Sequence, residues 1–346
     1  MPFIQNIFLQ RVLITGLGLM LAAPVTAQTF TTLHSFTNGY TDTGGGYSGW
    51  LLSGNTLYGT TEYGGSSLSG TVFKANTDGT GFTILYSFTA SGPFGSHSIN
   101  SDGAQPHANL ILSGNTLYGV ASGGGSSGYG TVFKVNTDGT GFAALHSFTA
   151  TTGPYPSVNS DGANPVGLIL SGNTLYGTAA GGGSSGNGTV FKISTTGTGF
   201  ATLHSFTTIS AYPLYANSDG AYPAGLILSG NTLYGTAIGG GSAGNGTVFK
   251  ISTTGTGFTT LHSFTTVSAY PLYANSDGAY PHSVTISGNT LYGTAVAEVR
   301  AMARCSRLTP MVPVLRPCTV SRQCMITLAP TVVIVLTSTE LSRFPD

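Results

Sequence analysis

The chain has 346 residues with 11 basic and 11 acidic side chains, a charged fraction of 6% and 52 glycines. Zero formal net charge and so few lysines and arginines exclude an electrostatic nucleic-acid binder, and the chain lacks the charge that holds a disordered polymer open. Glycine is about twice its ordinary usage but does not follow the collagen period, so it points to many tight turns.

In chain order, the first segment reads as a processing signal. Arg11 precedes the apolar run Val12 to Val25, and Val25-Thr26-Ala27 places small residues where a signal peptidase reads them. Residues 1–27 are therefore expected to be removed after Ala27, which makes the mature chain exported, extracellular or at the cell surface. The run is shorter than the roughly 20 residues a bilayer needs, so no membrane span is expected in the mature chain.

A repeated text follows. SGNTLYG begins at Ser53, Ser113, Ser171, Ser229 and Ser287, at offsets of 60, 58, 58 and 58. GTVFK ends at Lys74, Lys134, Lys192 and Lys250, and L-H-S-F stands at Leu33–Phe36, Leu145–Phe148, Leu203–Phe206 and Leu261–Phe264, with Leu85-Tyr86-Ser87-Phe88 as a variant. Residues 28–295 thus form a tandem array: an orphan segment 31–36, units at about 50–107, 108–166, 167–224 and 225–282, and a partial unit 283–295.

Each unit predicts four short strands. In the third, Leu168–Leu170 leads through the Gly-Asn turn of Gly172-Asn173 into Thr174–Thr178. The Gly181–Gly188 stretch is a loop, Thr189–Ile193 is a β-branched and aromatic strand, and Phe200–Phe206 is the fourth. No segment carries a helical apolar period. Four antiparallel strands recurring every 58 residues predict an all-β fold, an incomplete β-propeller-like array of four-stranded blades, with an open β-solenoid as the alternative. The orphan Thr31–Phe36 is expected to be a fourth strand that completes the last blade.

The text changes after Ala295. Residues 296–346 contain no glycine and no tyrosine but hold six of the seven arginines and all three cysteines. Joining the last base of each codon to the first two of the next permits Val296–Arg307 to become GGGGSGNGTVFK, and Leu308–Arg322 permits the rest of a repeat. Met311-Val312 forces a glycine where the repeat has one. The tail is therefore read as an out-of-frame fifth unit with disordered or non-native packing, in a product that exposes sheet edges. Cys305, Cys318 and Cys324 lack the paired spacing of a zinc site.

LYGT, the glycine-rich loop, GTVFK and the T-x-L-H-S-F close, over Thr31–Ala295, resemble the bacterial choice-of-anchor tandem repeat GloVer (Gly-Val) family. The resemblance implies an exported or surface protein without an established activity.

Recurrent side chains are the candidates for function. His34, His146, His204 and His262 share one position, which Tyr86 takes in another unit, so packing is favoured over metal binding. The four recurrent lysines read as edge caps. Asp102, Asp161, Asp219 and Asp277 lie in N-S-D-G loops, flanked in later units by Tyr212, Tyr215, Tyr222, Tyr270, Tyr273 and Tyr280. Asx turns anchored by tyrosine are the simpler reading, but carboxylates beside aromatic rings also suit a glycan, so Asp102, Asp161, Asp219, Asp277, Tyr212, Tyr215, Tyr270 and Tyr273 are the candidate ligand residues. No nucleophile, phosphate-loop or zinc-hydrolase motif occurs, so no catalysis, cofactor or metal is expected. The expectation is a structural or adhesive surface protein, with a lectin-like propeller carrying one weak glycan site per blade as the alternative.

Resequencing the gene across codon 295 by an independent method is expected to reveal a base gained or lost. An unchanged reading there would make the tail genuine coding text.

Overall fold

The computed structural model describes residues 31–36, 49–90, 99–153, 155–211, 214–266 and 275–296, and the backbone of 331–336. The chain divides after Ser35, and all of its strands belong to the unit Phe36–Asp346. The expected signal segment 1–27 lies outside the described residues, as do 297–330 and 337–346 of the tail.

All regular structure among the described residues is β, in four-stranded antiparallel meanders. Blade one is β1 (Leu51–Ser53), β2 (Thr56–Thr61), β3 (Thr71–Asn76) and β4 (Thr83–Ser87). Blade two has its first strand broken into β5 (Ala104–Pro106) and β6 (Ile111–Ser113), then β7 (Thr116–Gly123), β8 (Thr131–Asn136) and β9 (Ala143–Ser147). Blade three is β10 (Ala163–Ser171), β11 (Thr174–Gly181), β12 (Thr189–Ser194) and β13 (Ala201–Ser205). Blade four repeats it as β14 (Ala221–Ser229), β15 (Thr232–Gly239), β16 (Thr247–Ser252) and β17 (Thr259–Ser263). Blade five holds β18 (Ala279–Ser287), β19 (Thr290–Val296) and β20 (Thr331–Leu336).

Strand periodicity explains how one short motif makes two interfaces. Successive side chains leave opposite faces of a strand, and in GTVFK both faces are buried. One core cluster joins Tyr118, Val132 and Phe148 of blade two to Leu175, Phe191 and Ile193 of blade three. The next joins Tyr176, Val190 and Phe206 to Leu233, Phe249 and Ile251. The valine of the motif thus points to the following blade and the phenylalanine to the preceding one.

The phenylalanine needs a vacant place beside it. Gly177 stands opposite Phe191 across β11 and β12, and a Cβ there would lie 2.4 Å from the ring. Gly59, Gly119 and Gly235 face Phe73, Phe133 and Phe249 in the same way. The glycine of LYGT is therefore a slot for a cross-strand aromatic ring, which in turn covers the glycine backbone.

The first strands decide between the two expected architectures. Residues 107–109, 166–168 and 224–226, with His282, line one cavity of about 330 Å³, so the first strands of blades two to five converge. An open stack would hold the first and last of these units apart, whereas a radial array brings their inner strands together. The array is propeller-like.

Three expectations are corrected. The unit boundaries after 107, 166, 224 and 282 fall inside the first strand or at its break, because strands begin at Ala104, Ala163, Ala221 and Ala279. The proline near the start of each of these strands sits at an irregular register, after a left-handed residue (Gln105, Asn164, Tyr222 or Tyr280, φ 54 to 57°). Residues 31–36 form no strand. A strand needs a hydrogen-bonded neighbour, and the fifth unit has lost its GTVFK. Phe36 nonetheless packs edge-on against Phe73 and Phe82 at 5.6 and 5.9 Å, as Phe88 does against Phe133 and Phe142. Finally, Thr331–Leu336 of the tail pairs with β19, Gly293 opposite Ile334, in the third-strand position. Its Val332-Val333-Ile334-Val335 run has the β-branched composition that a strand favours, so β19 is not the open edge expected.

Gly177→Ala is expected to destabilise the chain by about 1–3 kcal/mol through overpacking against Phe191. Gly167→Ala, whose Cβ meets nothing within 4 Å, should stay within about 0.5 kcal/mol. Thermal unfolding of both variants checks this, and equal costs would refute the slot.

Candidate functional site

The recurrent Asp loops form clamps between the end of one blade and the start of the next. Asp161 Oδ2 accepts hydrogen bonds from His146 Nε2 at 3.0 Å and from the Thr149 amide at 3.0 Å, while the Thr149 hydroxyl donates to Oδ1. Asp219 has the same partners in His204 and Thr207, and Asp277 in His262 and Thr265. In the first clamp the Tyr86 hydroxyl donates to Asp102 at 2.7 Å, and Thr89 supplies amide and hydroxyl. The Asp161 carbonyl also accepts from the Thr189 hydroxyl, which ties the loop to β12.

The rings explain why tyrosine can replace histidine. His146 stacks on Phe200 at 3.8 Å and His204 on Phe258 at 3.7 Å, while Tyr86 stacks on Phe142 at 3.6 Å. Each position needs a flat ring for the next blade's phenylalanine and a donor at its far edge for the aspartate. These histidines form no metal ring, and among the described residues no group of three His, Cys, Asp or Glu is placed to hold a metal ion.

Burial and hydrogen bonding oppose each other at the carboxylates. Desolvation pushes Asp161 and Asp219 up, but the histidine and threonine hydrogen bonds together outweigh it and hold both below the usual carboxylate range. The neighbouring asparagines are equally occupied. Asn159 Oδ1 accepts from the Gly162 and Gly183 amides, and its Nδ2 donates to the Thr149 and Gly162 carbonyls.

Blade packing decides the standing of each expected ligand residue. Asp102, Asp161 and Asp219 are 3%, 5% and 5% exposed, with both carboxylate oxygens engaged, and Asp277 makes the same bonds with a more open side chain. Oxygens already accepting from His and Thr inside a blade junction are poorly placed to meet a sugar. Tyr215 is half exposed, while Tyr212, Tyr270 and Tyr273 lie outside the described residues. Tyr222 is pushed up to about 12 by burial and by its hydrogen bond with Tyr155. Of the recurrent lysines, Lys74 reaches across a blade junction and donates to the Thr137 carbonyl at 3.2 Å.

The residues that sequence reading passed over lie on the channel. His107 and His282 line the inner cavity, and His107 also borders a second cavity of about 610 Å³ with Glu62, Tyr63, Ser122 and Asn164. Both histidines follow a proline where blades three and four carry Val166 and Ala224. That departure from the repeat was the available signal. The side chains of Glu62, Asn164 and His282 make no hydrogen bond or ion pair among the described residues, and His107 has only a 3.4 Å contact with the Gln105 carbonyl.

These features define a tandem-repeat, all-β, propeller-like protein whose recurrent polar residues hold its blades together. The chain belongs to the Gloeobacter/Verrucomicrobia repeat family, which matches residues 16–213 and 93–302. The name refers to bacterial groups rather than to a Gly-Val pair. No curated protein matches the sequence. Among solved structures, the chain is similar to the nidogen/laminin complex, with 15% identity, a TM-score of 0.42, and 71% of this chain and 72% of that one covered. It is also similar to a gluconolactonase from Xanthomonas campestris (15%, 0.36, 69% and 65%) and to a putative TolB from Agrobacterium tumefaciens (10%, 0.36, 61% and 62%). Scores this low carry no argument about function.

The clamps predict acid sensitivity. A carboxyl held below its unfolded value contributes stability above that value, and the contribution is lost as pH falls through the folded value. Resistance to denaturant should fall as pH drops below about 4. The double variant Asp161→Asn, Asp219→Asn should start less stable and show a flatter pH profile. Parallel profiles would contradict the clamp.

Proposed function

We propose that the chain is an exported, non-catalytic repeat scaffold with a structural or adhesive role at the cell surface or in secreted material. One observation carries this reading: the recurrent aspartate, with its His or Tyr partner, is consumed in joining blades, so repetition here maintains the array. Export is supported by the apolar run Val12–Val25 with Ala27 behind it, and by the lack of cysteine between Gln28 and Ala295, which leaves no thiol to be oxidised outside the cell. Among the described residues no helix is long and apolar enough to cross a membrane.

A lectin with one weak site per blade is less well supported, since that reading used the carboxylates of the clamps. The non-catalytic reading rests on the absence of a motif and of a carboxylate pair in contrasting environments within residues 28–295.

Expression from the native start in a bacterial host should yield a product beginning at Gln28, measured by intact mass, and recovered from the surface or medium. A full-length product retained in the cytoplasm would refute export. Cells lacking the gene should attach less well to surfaces, and unchanged attachment would count against adhesion.

A further inference from the structure

We infer that the cavity bordered by the first three blades holds a single binding site for a neutral carbohydrate, formed by Glu62, Tyr63, His107 and Asn164. The inference goes beyond the scaffold reading and does not depend on it.

The first support is position. Glu62-Tyr63 stands where the following units have Ser122-Gly123, Ala180-Gly181 and Ile238-Gly239. His107 stands where the third and fourth blades have Val166 and Ala224 and the fifth has His282, and Asn164 where others have Gln105 or tyrosine, so the Glu62-Tyr63 pair is what makes this combination single. These residues come from the first three blades and border one cavity of about 610 Å³, within the usual size of a small-molecule site. Because that pair departs from the repeat, the site occurs once per molecule rather than once per blade.

The second support is unused hydrogen-bonding capacity. The Asp and Asn side chains of the N-S-D-G loops are hydrogen-bonded within the blade junctions, whereas the half-buried Glu62 carboxylate and the exposed Asn164 amide make no hydrogen bond among the described residues. Both groups are open enough to meet a ligand, and neither gives up a protein partner to bind one. The Ser122 hydroxyl donates to the Gln105 carbonyl at 3.1 Å, so its oxygen remains an acceptor.

The third support is the mixture of chemistries. A carboxylate accepts from adjacent hydroxyls, an amide both donates and accepts, and imidazole does either. The Tyr63 ring is 45% exposed, and Val166 and Ala180 supply an apolar wall, which suits the C–H face of a pyranose. Glu62 opposes an anion. One carboxylate beside an imidazole is a weak cage for a cation.

The test is saturation-transfer NMR on the full chain with D-glucose, D-galactose, N-acetyl-D-glucosamine, cellobiose and lactose. At least one should bind at a stoichiometry of one, and Glu62→Gln should weaken it roughly tenfold or more, the effect of losing a charged hydrogen bond. Ala180→Ile should block binding without loss of fold, because the equivalent position in blade four already carries Ile238. Thr196→Ala, in the exposed turn between β12 and β13 and outside the lining of this cavity, should leave affinity unchanged. Circular dichroism melts of each variant separate lost binding from lost fold. The proposal is overturned if no neutral sugar binds, if several equivalent sites are counted, if Ala180→Ile folds and binds normally, or if only amines or calcium bind at Glu62.

Discussion

A blade with neighbours on both faces has no solvated side, and the rest of the structure depends on that constraint. Its strands must be apolar on both faces, so the chain tolerates few charges, and the 6% charged fraction fits that architecture. The polar groups needed to turn the chain from one blade to the next must then be satisfied internally, because an unpaired buried group costs more than the bond it forgoes. The Asp–His–Thr and Asp–Tyr–Thr clamps meet that requirement, and ring stacking on the next blade's phenylalanine places each donor. Glycine serves the same packing. The LYGT glycine admits a phenyl ring between strands, and Gly162 approaches the Thr189 hydroxyl so closely that a Cβ would lie 2.4 Å from it.

Repetition and function therefore separate in this chain. The recurrent aspartates are bound up in blade junctions, while the cavities are lined by departures from the repeat, where the side chains of His282, Glu62 and Asn164 make no hydrogen bond among the described residues. A tandem array offers every blade the same scaffold, so a single site can arise only where one copy drifts from the others.

Much of the fold was legible in the sequence. Thr189–Ile193 and Thr174–Thr178 match observed strands closely, since β-branched residues, alternation and the Gly172-Asn173 turn all point the same way. The start of the first strand was not legible: the sequence reading began it at Leu168, and only the left-handed Asn164 before Pro165 shows how the strand extends back to Ala163. The roles of the aspartates were half legible. An N-S-D-G loop announces a turn, but whether its carboxylate faces solvent or a histidine fifteen positions earlier depends on blade packing, which spacing alone does not convey. Tyr86 in place of histidine was the clue, because a metal ligand would not tolerate the exchange and a stacked donor does. The channel residues were missed because attention to recurrence hides the positions that do not recur.

The central claim, that the recurrent aspartates act as blade clamps, is tested most directly by a double-mutant cycle between His204 and Asp219. Unfolding free energies of the parent, His204→Ala, Asp219→Asn and the double variant isolate the pair. A coupling of about 1–3 kcal/mol is expected for a charge-assisted bond across a blade junction. Additive losses, with coupling below about 0.5 kcal/mol, would contradict the clamp and return the aspartates to the pool of candidate ligand residues.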